Sequence, residues 1–144
     1  MIDAELTPLI RRSFRDLSEA VLGTVGPDGA PHVAPAWFVW RDDAFYASIR
    51  RGSRSWLNAE LDPRVSVLID RGHEWSELTG IILEGRADLM PAEAPPMRAP
   101  MSEWHQKYRS LLAGDGFERF ARSIPELGFL RLVPERFDSW DHRA

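Results

Sequence analysis

The stretch "RRGSRSWLN", residues 50–58, concentrates side chains that bind anions. It contains three arginines and two serines: Arg50, Arg51, Ser53, Arg54 and Ser55. The planar fork of N–H donors on an arginine matches the oxygens of a phosphate, and serine hydroxyls add further donors. A helix beginning here would also present free backbone N–H groups with a favourable dipole. A solvated turn can have the same composition, so the residues leave two interpretations, an oxyanion site and an ordinary turn.

Other kinds of catalytic or metal site are not indicated by the sequence. The four histidines, at positions 32, 73, 105 and 142, lack the spacing of metal ligands, and the chain has no cysteine. The G-x-S-x-G motif of serine hydrolases is absent, as are the Walker A and Rossmann glycine patterns. We therefore predict no metal centre and no conventional catalytic nucleophile or base.

Composition indicates one globular domain spanning residues 1–144. Apolar residues make up 44% of the chain, charged residues 28%, and the formal net charge is −4. An acidic chain is a poor general binder of nucleic acid, and no apolar run approaches the roughly 20 residues that span a bilayer. The N-terminal segment lacks the apolar core of a signal peptide, and the absence of cysteine suits a reducing compartment. We expect a cytoplasmic protein with neither a membrane nor a nucleic acid as partner.

The first half of the chain predicts one helix followed by β-structure. A helix is expected from about Pro8 to Asp16, with Thr7 as its N-cap. Three antiparallel strands should follow, and "PDG" and "RDD" supply the turns between them. Their expected bounds are Ala20–Val25, His32–Trp40 and Ala44–Arg50. The anion-binding stretch therefore begins where the third strand ends.

A short helix should follow this third strand, capped by Ser53, with Trp56, Leu57 and Leu61 on its inward face. The runs "RVSVLID" and "TGIILEGRADL" then alternate as strands. In the first run the residues predicted to face inward are Val65, Val67 and Ile69; in the second they are Ile81, Leu83, Gly85, Ala87 and Leu89. The expected end of the short helix is the dipeptide Asp62-Pro63.

Residues 91–126 form a proline-rich connector and two helices, which we interpret as an insertion that controls access to the site without being needed for the fold. Ser102 is the expected cap of the first of these helices. A last strand from Gly128 to Trp140, bent at Pro134, completes the chain. The pattern predicts a mainly β, α+β fold, a six-stranded antiparallel barrel with peripheral helices.

Three blocks in this order resemble the pyridoxamine-phosphate-oxidase-like family of flavin-binding split barrels. They are "LGTVGPDGAPHVAPAWFVW", "FYASIRRGSRSWLNAELDPRVSVLID" and "IILEGRADL", from about Ala20 to Leu89. The C-terminal "RLVPERFDSWD" is similar to the closing strand of the family. The resemblance implies a split barrel that forms a homodimer with two cofactor sites at the interface. The implied cofactor is FMN or the deazaflavin coenzyme F-420.

The resemblance also implies roles for particular residues. Arg51, Ser53 and Arg54 match the segment that holds the cofactor phosphate, flanked by Arg50 and Ser55. Ala36, Trp37 and Phe38 match the strand positions whose backbone lies along the ring. The family often has lysine where this chain has Ser55, a departure that removes a cation and for which Arg50 could compensate.

The function implied by the resemblance is that of an oxidoreductase, in which the cofactor passes hydride to or from a small organic substrate. Two alternatives stay open. One is a flavin- or haem-binding carrier or sensor of the same fold without turnover. The other is a structural dimer whose arginine stretch is only a solvated turn.

Overall fold

The computed structural model describes residues 4–143, so the first three residues and Ala144 of the expected domain lie outside the described part of the chain. Seven strands are described: β1 (Ala20–Val25), β2 (Pro31–Arg41), β3 (Ala44–Arg50), β4 (Arg64–Arg71), β5 (Thr79–Pro91), β6 (Leu127–Leu132) and β7 (Arg136–Asp141). Residues 4–143 also contain four α-helices: α1 (Leu6–Ser13), α2 (Arg54–Leu61), α3 (Arg98–Tyr108) and α4 (Asp115–Ser123). Short 3-10 turns lie at Trp75–Glu77, Pro95–Met97, Arg109–Leu111 and Ile124–Glu126.

Six of the strands form a closed antiparallel barrel, which confirms the predicted fold. The order around it is β1, β2, β3, β6, β5 and β4, and pairing of β4 with β1 closes the ring. The long strand β5 changes partner along its length. Its residues 79–86 pair with β4, whereas residues 87–91 pair with β6. Closure leaves these strands with little unpaired edge.

The predicted last strand is in fact two strands. β6 is one of the six barrel strands and ends at Leu132. β7 begins at Arg136 and pairs with β5 outside the closed ring. Pro134 lies in the break, where its missing N–H prevents continuous strand pairing. The prediction of one bent strand was therefore wrong, and β7 is a seventh strand laid on the outside of the barrel.

The barrel interior follows the predicted alternation. Val65, Val67, Ile69, Ile81 and Leu83 are all buried in one core cluster. Apolar side chains of α1 join the same cluster, namely Leu6, Ile10 and Phe14. Pattern and burial agree here because strands of a barrel present alternate residues to its interior.

The predicted start of α1 was wrong. The helix begins at Leu6, with Glu5 rather than Thr7 at the N-cap position. The Thr7 hydroxyl instead donates a hydrogen bond to Oδ1 of Asp43, at 2.8 Å. Thr7 is thus bonded to a residue 36 positions away in the chain and does not cap the helix.

The inward face of α2 also differs from the prediction. Ser55, Asn58 and Ala59 are buried, whereas Leu57 is 50% exposed and Leu61 is 72% exposed. The helix is oriented by a buried polar contact, in which Nδ2 of Asn58 donates to Oγ1 of Thr24 on β1, at 3.1 Å. With this buried pair on the inward side, Leu57 and Leu61 face outward.

The segment from 91 to 126 is part of the core, contrary to the expectation that it lies outside the fold. Met97, Trp104 and Tyr108 of this segment are buried against Val39 of β2 and Phe129 of β6. The helix α3 begins at Arg98 rather than after Ser102, which lies inside it, so the predicted cap was wrong. A second core cluster therefore joins α3 to the outer face of the barrel.

Candidate functional site

The arginine–serine stretch is a tight turn between β3 and α2. The Ser53 amide donates to the Arg50 carbonyl at 3.1 Å, and Gly52 has a φ of +86°, which a side chain would oppose. Ser53 is the N-cap of α2, and its hydroxyl accepts a hydrogen bond from the Trp56 amide at 3.3 Å. The predicted strand end and helix cap are both confirmed. The hydroxyl hydrogen of Ser53 is left over to donate to an anion.

The three arginines of this turn differ in their surroundings. Arg51 is held within the chain, since its Nη1 donates to Oε1 of Glu93 at 3.2 Å and its Nη2 donates to the Pro125 carbonyl. Arg50 and Arg54 are exposed, and their guanidinium groups have no partner among residues 4–143. Two cations of the turn are therefore available to a ligand, while Arg51 ties the turn to the segment before β6.

Ser55 does not share this exposure. It is only 5% exposed, on the buried face of α2. A ligand at the surface of the turn would contact the side chains of Arg50, Ser53 and Arg54 before it reached Ser55. The structure thus brings together most of the predicted phosphate residues and sets Ser55 apart.

Strands β2 and β3 diverge beside this turn. β2 pairs with β3 only from Trp37, opposite Ser48, up to Arg41, opposite Ala44. Where this pairing stops, a surface depression is lined by Glu19, Pro35, Ala36, Trp37 and Ser48. Ser48 precedes Arg50 by two residues, a separation of roughly 7 Å along a strand. Ala36 and Trp37 therefore lie at the same end of the sheet as the arginine turn.

Phe38 lies apart from the depression. Its side chain is fully buried in the barrel, with its ring centroid 5.3 Å from that of Phe45. Its amide donates to the Tyr108 hydroxyl at 2.8 Å, and its carbonyl accepts from Nζ of Lys107 at 2.8 Å. Both backbone groups of Phe38 are therefore bonded to α3, where the resemblance predicted contact with a cofactor ring.

Trp37, which lines the depression, belongs to an aromatic cluster with Trp104 and Tyr108. The Trp37 ring stacks on that of Tyr108, with centroids 4.3 Å apart and planes inclined by 4°. The Trp104 indole donates to Oγ of Ser48 at 2.8 Å, and that hydroxyl donates to the Trp37 carbonyl at 3.3 Å. These contacts fix the orientation of Trp37. The sequence did not predict this aromatic cluster beside the depression. It did show that Trp104 and Tyr108 are four residues apart and therefore share one face of a helix.

Burial shifts the pKa values of two α3 residues, Tyr108 and Lys107, in opposite directions. It raises the pKa of Tyr108 to about 12, although the hydrogen bond to the Phe38 backbone opposes the shift. Burial lowers the pKa of Lys107 to about 7. The Tyr108 hydroxyl is therefore neutral and holds β2 in place rather than acting as a base.

Comparison with known proteins settles the family. A family model described as pyridoxamine 5'-phosphate oxidase matches residues 6–141, nearly the whole chain. The chain belongs to the pyridoxamine 5'-phosphate oxidase family. The resemblance seen in the sequence is thereby confirmed, and the six-stranded barrel is the split barrel of that family.

Solved structures of similar fold differ in what they are known to do. The chain is 27% identical to a conserved hypothetical protein of Mycobacterium tuberculosis, with a TM-score of 0.76, covering 99% of this chain and 86% of that one. An F-420 reductase is 18% identical, with a TM-score of 0.69 and coverage of 95% and 98%. The haem storage protein HutZ of Vibrio cholerae is 16% identical, with a TM-score of 0.70 and coverage of 98% and 95%. The last two show the fold alone.

No curated protein matches the chain. Within residues 4–143, no three side chains of His, Cys, Asp or Glu form a group that could hold a metal ion. None of the helices described in that range is long and apolar enough to cross a membrane. Membership of the pyridoxamine 5'-phosphate oxidase family gives the broad class of this protein. Its candidate functional site consists of the arginine turn and the neighbouring depression.

Proposed function

We propose that this member of the pyridoxamine 5'-phosphate oxidase family is a homodimeric oxidoreductase that binds FMN or F-420. One observation carries the proposal. A depression lined by Ala36 and Trp37 lies at the same end of the sheet as a turn that presents two arginines without partners in the described part of the chain. Such a site offers a surface for a ring and cations for a phosphate.

The residues of the turn fit the charge of the cofactor phosphate. Arg50 and Arg54 are exposed and supply N–H donors, and the Ser53 hydroxyl retains one hydrogen to donate. Arg51 donates hydrogen bonds to Glu93 and to the Pro125 carbonyl and so holds the turn in place. Arg51 is thus a positioning residue in this proposal, and direct phosphate binding falls to the other three.

Ala36 and Trp37 would face the ring of the cofactor. The Trp37 ring cannot rotate freely, because it packs against the rings of Tyr108 and Trp104. A rigid wall excludes water from one side and sets the distance at which a flat ring can lie. When bound, FMN or F-420 supplies the hydride chemistry, and the small organic substrate would enter from the open side of the depression.

Exposed apolar side chains support the homodimer. Val33 is 67% exposed, Leu57 is 50% exposed and Leu61 is 72% exposed. These residues lie on β2 and on α2, which pack together near the arginine turn. Burying them against a second copy removes apolar surface from water and would place partner residues over the depression.

The dimer is tested by substituting the exposed leucines. Leu57→Asp with Leu61→Asp should shift sedimentation from dimer to monomer and weaken cofactor binding, while the thermal unfolding of the monomer stays cooperative. Leu111→Asp is the matched control, because Leu111 is 54% exposed on another segment and should leave the dimer intact. A monomeric wild-type chain that still binds cofactor would contradict the shared site.

The cofactor is tested by titrating FMN and F-420 separately into the wild type and Arg54→Gln. Loss of one hydrogen bond to a phosphate should weaken binding about tenfold or more. Arg71→Gln, an exposed arginine at the end of β4, is the control and should bind as the wild type does. Equal affinity of Arg54→Gln and wild type would leave the turn without a phosphate role.

The structural likeness to a haem storage protein keeps a second candidate in view, a carrier that binds flavin or haem without turnover. No histidine lines the depression, so a haem there would lack the common axial ligand from its wall. Absorbance spectra after addition of haemin distinguish the two. A Soret band at equimolar haemin, together with no reduction of bound FMN or F-420 by a nicotinamide or other hydride donor, would favour the carrier.

A further inference from the structure

The depression at Trp37 contains a single charged side chain, that of Glu19. Its lining consists of Glu19, Pro35, Ala36, Trp37 and Ser48, and its volume is about 290 Å³. Within residues 4–143 the exposed carboxylate of Glu19 has no ion pair and no hydrogen bond. No other residue of the lining therefore offsets its negative charge.

The position of Glu19 follows from the strand register. Ala20 pairs with Ala36, and both side chains point into the barrel, with exposed fractions of 1% and 7%. Because side chains alternate along a strand, Glu19, which directly precedes β1, lies with Trp37 on the outer face. Trp37 in turn pairs with Ser48 of β3. Glu19, Trp37 and Ser48 thus form one row across the outside of the sheet.

The backbone next to Glu19 is held against β2. The Tyr108 hydroxyl lies 2.8 Å from the Ser18 carbonyl oxygen and 2.9 Å from the Phe38 carbonyl oxygen. One side chain of α3 thus bridges the residue before Glu19 and the residue after Trp37. This contact limits how far the Glu19 carboxylate can move away from the depression.

The positive charges of the site lie at the arginine turn. Arg50 and Arg54 have no partner within residues 4–143, and in the proposed function they bind the cofactor phosphate. A phosphate monoester has a charge of roughly −1.5 to −2 at neutral pH, so the phosphate and the two arginines nearly cancel. The Ser48 hydroxyl cannot bind the Glu19 carboxylate as a donor, because its hydrogen is donated to the Trp37 carbonyl. The charge of Glu19 is therefore left uncompensated when the site is filled.

We propose that Glu19 lowers the reduction potential of FMN bound in the depression, an inference that rests on the proposed function because it takes the ring to lie against Ala36 and Trp37. Above neutral pH a flavin takes up two electrons and one proton on reduction, so the ring gains one negative charge. A fixed negative charge beside the ring repels this added charge and disfavours the reduced form. Glu19 is in this role neither an acid nor a nucleophile, and it acts only through its charge.

Spectroelectrochemistry of bound FMN at pH 8 tests the role of Glu19, in the wild type and in Glu19→Gln. Glutamine keeps the size of the side chain and removes its charge. We expect the variant to bind reduced FMN about tenfold more tightly, relative to oxidised FMN, than the wild type does. This ratio raises the midpoint potential by about 30 mV for a two-electron couple. Added salt should shrink the difference, because it screens exposed charges.

Two further variants separate the charge of Glu19 from other effects. Glu19→Asp keeps a carboxylate and should stay close to the wild-type potential. Glu60→Gln is the matched control, because Glu60 is exposed on α2 and does not line the depression. It removes the same charge from another surface and should leave the potential unchanged. Thermal unfolding of all three variants should match that of the wild type, since both positions are exposed.

Three results would overturn the role of Glu19. The first is an equal potential in Glu19→Gln and the wild type with FMN bound to both, which would leave the proposed cofactor site intact. The second is an equal rise in Glu19→Gln and Glu60→Gln, which would indicate an effect of net charge. The third is a wild type that does not bind FMN, in which case the proposed function would require F-420. Failure to bind either cofactor would overturn the proposed function itself.

Discussion

The Tyr108 hydroxyl lies 2.8 Å from the amide nitrogen of Phe38 and 2.9 Å from its carbonyl oxygen. It also lies 2.8 Å from the Ser18 carbonyl, just before β1 begins. β1 pairs with β2 only as far as Ala36, so one edge of β2 is open at Phe38. A side chain of α3 thus supplies the hydrogen bonds that a neighbouring strand would otherwise make.

Removing this hydroxyl should destabilise the protein. Tyr108→Phe keeps the ring and its stack on Trp37 but leaves the buried Phe38 amide unpaired, at a cost of about 1–3 kcal/mol in the free energy of unfolding. Urea titration followed by tryptophan fluorescence measures the change. Tyr46→Phe is the control, since the Tyr46 hydroxyl accepts one hydrogen bond from the partly exposed Arg131 and should matter less. Equal losses in the two variants would contradict a special role for the Tyr108 hydroxyl.

Gly128 should be intolerant of any side chain. A Cβ atom there would lie 2.4 Å from the Trp56 ring and 3.0 Å from Cγ of Arg51. Gly128→Ala should displace the start of α2, destabilise the protein by about 1–3 kcal/mol and weaken binding of FMN or F-420.

Calorimetry and cofactor titration measure both effects of the Gly128 substitution. Gly116→Ala is the matched control, since nothing lies within 4 Å of a Cβ at that helical position. It should be neutral or slightly stabilising, because alanine favours a helix by up to about 1 kcal/mol over glycine. A Gly128→Ala variant as stable as the wild type would show that Trp56 can move aside.

The stability of the protein should rise with pH above neutrality. Burial lowers the pKa of Lys107 from 10.5 to about 7 in the folded chain. Below pH 7 both states carry the proton, so the full cost of burying the charge is present. Between about pH 7 and pH 10 only the unfolded state keeps the proton, so the free energy of unfolding increases with pH.

Since Lys107 retains some exposure, the expected gain from about pH 7 to pH 9 is about 1 kcal/mol, well below the full linkage value. Urea midpoints at the two pH values measure it. Lys107→Met cannot titrate and should show a flat profile over the same range. A wild-type midpoint that is constant, or that falls, would contradict the buried cation.

Deleting residues 92–126 should abolish folding. The deletion removes Met97, Trp104 and Tyr108 from the second core cluster and uncovers Val39 and Phe129. Truncating one large buried side chain typically costs 2–5 kcal/mol, and small proteins are stable by only about 5–15 kcal/mol. Circular dichroism and size-exclusion chromatography of the deletion variant check this. A folded barrel that still bound cofactor would restore the interpretation of the segment as dispensable.

Local sequence determined those elements whose signals act over a few residues. The alternation of Val65, Val67 and Ile69 placed one face of β4 in the core, because side chains of a strand alternate between its two faces. Ser53 marked the start of α2 because a hydroxyl bonds the amide three residues ahead within the same turn. The order of these local signals was enough to indicate the barrel and its family.

Only the tertiary structure decided how the elements face one another. Which side of α2 is buried depends on Asn58 and Thr24, 34 positions apart, and the edge of β2 depends on Phe38 and Tyr108, 70 positions apart. The hydrogen bond that holds Arg51 depends in turn on where the chain returns at Pro125. These contacts join residues that no local pattern links, because burial and hydrogen bonding respond to distance in space and not to distance along the chain.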